Sequence, residues 1–183
     1  MNHPLRCRCG TLNGEVSHPE KVSRGVCYRR DRQAYAHFLG TPSDILDETG
    51  GTDVVATLPK YVSFTQGVEP LSCMSLTENG MLRWYASVGL VHTCLEDPSK
   101  TLERSFGPIR MRVNTKHAKG KPKLMPISTI ASVVRLLCSL IRARLDGSYR
   151  HAPFFAADRG TPVVSPKVLT SSERKRVMNA GWL

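Results

Sequence analysis

Cys7 and Cys9 stand one residue apart in Cys7-Arg8-Cys9-Gly10. Paired thiolates on a tight turn are good zinc ligands, because Zn²⁺ prefers sulfur and nitrogen in a tetrahedron. Gly10 lets such a turn close around a metal. Cys27 is the next candidate ligand, followed by Tyr28-Arg29-Arg30-Asp31-Arg32. Two or three thiolates leave a structural zinc short of its four ligands. His92, Cys94 or His37 would have to complete the set. His92 and Cys94 are spaced to share one face of a strand; the alternative for them is ordinary packing for Cys94 and a surface position for His92. Cys73, Cys94 and Cys138 have apolar neighbours and read as small core residues.

Other catalytic patterns are missing. The chain has no G-x-S-x-G, no H-E-x-x-H and no phosphate-binding loop. Asp44, Asp47, Glu48 and Asp53 cluster, and they read as solvated turn acids rather than an acid/base pair. The charge is more informative. Residues 1–100 carry 10 Lys+Arg against 11 Asp+Glu, and residues 101–183 carry 16 against 4, so the whole net charge of +11 comes from the second half. Such asymmetry permits binding to nucleic acid or another anionic surface; the alternative is a solvated basic face with no partner. The candidate cations are Arg110, Arg112, Lys116, Lys119, Lys121 and Lys123, then Arg142, Arg144 and Arg150, then Arg174, Lys175 and Arg176. No helix-turn-helix, zinc-finger or aromatic RNA-binding signature accompanies them, so binding to nucleic acid would be non-specific.

The opening Cys7-Arg-Cys-Gly-Thr-Leu-Asn-Gly-Glu-Val16, with Cys27-Tyr28-Arg29-Arg30-Asp31-Arg32-Gln33-Ala34 and Arg83-Trp84-Tyr85-Ala86, resembles the glutathione-dependent formaldehyde-activating proteins and the related centromere protein V. The likeness covers roughly residues 5–90. It is closer still to an uncharacterised bacterial branch of that superfamily. The resemblance implies a twisted β-sheet domain with cysteine-bound zinc, and carbon–sulfur lyase chemistry on a glutathione adduct. Carried over residue by residue, Cys7 and Cys9 fall on the structural metal site and Cys27 on the catalytic one. The departures are specific. The family's C-x-C-x-x-C falls on Cys27, Arg29 and Arg32, and guanidinium groups do not ligate zinc. The later cysteine pair is absent after Ala86, where Ser87-Val88-Gly89-Leu90-Val91 follows. Zinc is thus expected to be partial or lost, and the chemistry weak or inactive. Two guanidiniums beside Cys27 would favour its thiolate, so Cys27 is expected to alkylate faster than Cys138.

These residues need elements to hold them. The first hundred residues read mainly as β, with strands over Leu12–Val16, Val22–Cys27, Val54–Leu58, Val62–Thr65, Leu71–Leu76 and Leu82–Ala86. Asn79-Gly80 suits a type I′ hairpin turn. A short helix over Asp31–Leu39 ends at Gly40-Thr41-Pro42. In the second half, Arg104–Val113 suits a strand and His117–Lys123 a basic loop. The strongest helix runs from about Pro126 to Leu145, with Ile127, Ile130, Val133, Val134, Leu137, Cys138 and Ile141 at helical spacing. A last helix runs from Ser171 or Ser172 to Ala180.

The expected class is mainly β (α+β): a twisted β-sheet, zinc-domain-like core over residues 1–98 and a basic C-terminal helical extension over 99–183. No stretch offers the about 20 apolar residues that a membrane span needs, and the N-terminus lacks a signal-peptide core. A cytoplasmic protein that is not embedded in a membrane, with reduced cysteines, is the expectation.

Overall fold

The computed structural model describes residues 2–6, 10–18, 23–87, 95–96, 111–113, 128–147, 153–156 and 161–180. Along the chain run β1 (His3–Arg6), β2 (Asn13–Val16), β3 (Ser23–Cys27), α1 (Arg30–Phe38), α2 (Pro42–Ile45) and β4 (Thr52–Ala56). A 3-10 turn at Pro59–Tyr61 leads to β5 (Val62–Gln66), β6 (Leu71–Ser75) and β7 (Arg83–Ala86). Then come β8 (Leu95–Glu96), β9 (Met111–Val113), α3 (Ser128–Leu145), β10 (Lys167–Val168) and α4 (Ser171–Ala180). The fold is α+β, with no described helix long and apolar enough to cross a membrane.

Among the described residues three small sheets form, ordered β1-β2-β5, β10-β6-β7-β8 and β4-β3-β9. Most pairings are antiparallel and near in sequence. Two are parallel and distant: β9 joins β3, with Val113 opposite Cys27, and β10 joins β6, with Lys167 opposite Met74. The second half of the chain therefore supplies strands to sheets begun by the first.

The β6–β7 pair divides the interior. Side chains alternate across a strand, so the opposed pairs Leu71–Ala86 and Cys73–Trp84 share one face, while Met74 and Tyr85 lie on the other. The first face packs with Leu12, Val16, Val62 and Phe154. Trp84 is fully buried, its ring 5.4 Å from that of Phe154. The second face packs with Ala34 and Tyr35 of α1, with Leu39 just after it, and with Leu169 and Val177 around α4. A buried hydrogen bond joins the layers: the Tyr35 hydroxyl donates to the Trp84 carbonyl at 2.9 Å. Arg83, 2% exposed, donates to the Met81 carbonyl and lies 5.8 Å from the Tyr35 ring centroid.

The six strands expected in the first hundred residues all form, within two residues at each end. The turn type does not. Neither Asn79 nor Gly80 has a positive φ. Thr77 and Gly80 instead close an ordinary turn, with the Gly80 amide donating to the Thr77 carbonyl at 3.0 Å, inside a loop long enough to need no mirror-image geometry. Gly40, at φ +85°, ends α1, as a glycine just past a helix does. Of the expected strand over Arg104–Val113, Met111–Val113 forms β9; residues 104–110 and the basic loop over His117–Lys123 lie outside the described residues.

Helix α4 starts on a reciprocal cap. The Thr170 amide donates to Glu173 Oε2 at 2.9 Å, and the Glu173 amide donates to Thr170 Oγ1 at 3.3 Å. Lys167 Nζ lies 3.0 Å from Glu173 Oε1. The Thr170 amide, then Lys167, hold the Glu173 carboxyl down from its ordinary 4.5 to about 2. A carboxylate lowered on folding contributes stability above its unfolded pKa and loses it as pH falls through the folded one. Glu173→Gln keeps an acceptor for the Thr170 amide and removes the charge. Its thermal midpoint should lie below that of the unaltered protein at pH 7, and the gap should close between pH 4.5 and 2. Melts followed by circular dichroism across that range test this; a gap that persists at pH 2 contradicts it.

Candidate functional site

Cys27 is the last residue of β3, and Arg29 is the N-cap of α1 with an extended backbone (φ −62°, ψ 138°). The amides of Arg32 and Gln33 both donate to the Arg29 carbonyl, at 3.0 and 3.3 Å. Positions 27, 29 and 32 therefore gather on one strand-to-helix turn. Cys27 is 3% exposed and Arg32 is 8% exposed. Arg29 turns outward and pairs with Asp31 at 3.5 Å. The turn is rigidly backed: Gln33 Nε2 donates to the Gly50 carbonyl at 2.9 Å inside the fold. Asp47 Oδ1 accepts from the Thr49 and Gly51 amides at 2.9 and 2.8 Å, which gives that acid a structural role in the turn.

The donor set at this turn does not fit zinc. Guanidinium groups at 29 and 32 have no lone pair to offer a metal. Among the described residues, no group of three His, Cys, Asp or Glu side chains is placed to hold an ion. His37 does not complete a site with Cys27, because the two flank opposite ends of α1, a nine-residue helix of about 13 Å. Cys7, Cys9, His92 and Cys94 lie outside the described residues.

The cysteines expected in the core divide. Cys73 is buried in β6, as expected, but Cys138 is exposed on α3. The physical reason is how α3 docks. Among its described side chains Ala143 is the buried one, packed with Leu58 and Tyr61, and Lys60 pairs with Asp146 at 3.5 Å just past the helix. The apolar residues Val134, Leu137 and Ile141, expected on a stripe with Cys138, are more than half exposed. Helical periodicity reveals an apolar stripe but does not show what covers it.

Among the described residues, six exposed cations lie on the two C-terminal helices. Arg135, Arg142 and Arg144 are exposed on α3, which contains no acidic residue. Arg174, Lys175 and Arg176 are exposed on α4. Arg112 sits on β9, while Arg110, Lys116, Lys119, Lys121, Lys123 and Arg150 lie outside the described residues. Between α1 and α4 an open cleft of about 270 Å³ joins this surface, with His37, Lys167, Glu173 and Arg176 as polar lining and Phe38, Leu169 and Val177 as apolar lining. Lys167 lies 5.8 Å from the centroid of the Phe38 ring. Burial raises the Tyr85 phenol above its ordinary pKa, against an opposing pull from Lys167. Sequence reasoning missed this cleft, because β10 and α4 reach α1 only through tertiary contacts. The one local signal was Thr170-x-x-Glu173, a capping pattern that places Lys167 and Glu173 beside a helix start.

Residues 1–101 match the model of a family described as a family of unknown function, DUF6151. That is more than half of the chain, and the chain belongs to this family. No curated protein and no solved structure matches it.

Thiol exposure sets the order of alkylation when only one thiolate can be reached. Against the expectation from neighbouring charge, Cys138 should react with iodoacetamide before Cys27 in the folded protein, by at least about tenfold, and the two rates should converge in denaturant. Peptide mapping of the labelled chain reads both sites; prior modification of Cys27 would contradict its burial.

Proposed function

We propose that the chain is a non-catalytic binding module that docks an anionic partner through its basic second half. The observation that carries this reading is the concentration of exposed cations on α3 and α4 among the described residues. Six exposed cations face solvent on these helices, α3 has no acid, and the Glu173 carboxylate of α4 is already engaged by Thr170 and Lys167. Such a surface gains affinity by releasing condensed counterions from a polyanion. The cleft beside Arg176 and Lys167 extends it with an apolar floor.

A second reading is favoured by one observation: positions 27, 29 and 32, where the related family carries C-x-C-x-x-C, lie on a single strand-to-helix turn. On that reading the chain is a diverged formaldehyde-activating protein, a zinc-associated lyase-like scaffold for a glutathione adduct, now weak or inactive. Arg29→Cys with Arg32→Cys should then raise zinc content measured by atomic absorption. Equal zinc in both proteins would count against this ancestry.

The binding reading is tested with two probes, a short DNA duplex and vesicles carrying anionic lipid. Affinity for the bound probe should fall steeply between about 50 and about 200 mM salt, by about 10³-fold if six cations engage a duplex. Replacing Arg174, Lys175 and Arg176 by Ala should flatten the duplex slope by about three units. Failure of both probes to bind at the lower salt would overturn the reading.

A further inference from the structure

Helix α3 carries more than charge. Val134, Leu137, Ile141 and Leu145 are exposed by 51, 53, 59 and 83%. At about 100° per residue they fall within an arc of roughly 80°, so they form one continuous ridge. Ala143, which is buried against Leu58, lies on the order of 160° from the centre of that ridge. Among the described side chains, Ala143 thus faces the body and the Lys60–Asp146 pair lies beyond the helix end, while Val134, Leu137, Ile141 and Leu145 are exposed. On the same wheel, Arg135 and Arg142 border the ridge on one side and Arg144 on the other.

We propose that α3 is an interfacial helix that lays this ridge into the surface of an anionic lipid bilayer. The inference rests on the reading that the basic half docks an anionic partner, and it names that partner. An aliphatic ridge bordered by arginines matches a helix lying in the bilayer interface, where the alkyl side chains enter the acyl boundary and the guanidiniums reach back to anionic headgroups. Other occupants fit worse. Nucleic acid has phosphates for the arginines but no apolar layer for the ridge. A second copy of α3 would set arginines against arginines, with no acid on either helix to pair them. The helix does not cross the bilayer, since its apolar length and its arginines exclude a span.

Co-sedimentation of the full chain with vesicles tests the proposal. The protein should bind vesicles of phosphatidylcholine with phosphatidylserine and not those of phosphatidylcholine alone. Leu137→Ser with Ile141→Ser should weaken that binding by about 100-fold, from roughly tenfold or more for each aliphatic side chain kept out of lipid. Because both positions are exposed, the double variant should keep its thermal midpoint. Ile141→Trp, which preserves an apolar ridge, should bind as the unaltered protein does, and its added emission should be quenched by brominated lipid. Undiminished vesicle binding by the double variant, or absent quenching, would overturn the lipid proposal; if salt-dependent binding to either probe persisted, the broader anionic reading would stand. A dimer abolished by the double variant would also overturn it, in favour of a second copy. Failure of every anionic probe at low salt would remove both readings together.

Discussion

The β6–β7 pair has apolar side chains on both faces, so both must be covered. Trp84 and Cys73 are buried on one side, and on the other Met74 is buried and Tyr85 half-buried. A lone hairpin has no independent stability. Coverage comes from two directions: the β2 and β5 side chains with Phe154 on one face, and α1 with α4 on the other. The bond from the Tyr35 hydroxyl to the Trp84 carbonyl fixes α1 against the hairpin with a donor that would be costly to leave unpaired in the interior. Because Phe154, Leu169 and Val177 belong to the second half of the chain, neither core closes without it.

Fixing α1 also fixes what lies at its ends. Its N-terminal turn gathers Cys27, Arg29 and Arg32, and its C-terminal end lines the cleft with His37 and Phe38. A thiol in the first place would have invited metal chemistry if the other two were thiols. With guanidiniums there, one is spent on a surface pair with Asp31 and the other is packed into the fold. The centre of chemical interest thereby moves from the buried turn to the basic outer surface.

On that surface, α3 and α4 solve the same problem differently. Helix α4 buries Val177 against α1 and leaves a polar exterior. Helix α3 buries Ala143 against Leu58 and leaves Val134, Leu137, Ile141 and Leu145 exposed. Arg135 and Arg142 border that ridge on one side and Arg144 on the other, all three exposed.

Much of the local structure was legible in the residues alone. Alternating apolar runs between turn residues gave the strands from Asn13 to Ala86, Gly40 marked the end of α1, and Ser171 the start of α4. The concentration of charge in residues 101–183 was legible by counting. These are signals of short range, carried by neighbouring residues. Tertiary structure decided the rest. It placed β9 beside β3 and β10 beside β6, separated His37 from Cys27 by the length of α1, and assembled the cleft from α1, β10 and α4. It also turned the stripe of α3 outward, so that Cys138 is exposed where its apolar neighbours had suggested core. Periodicity defines which side chains share a face, but whether that face meets protein or solvent depends on residues far away in the chain, and here the nearer contact went to Ala143.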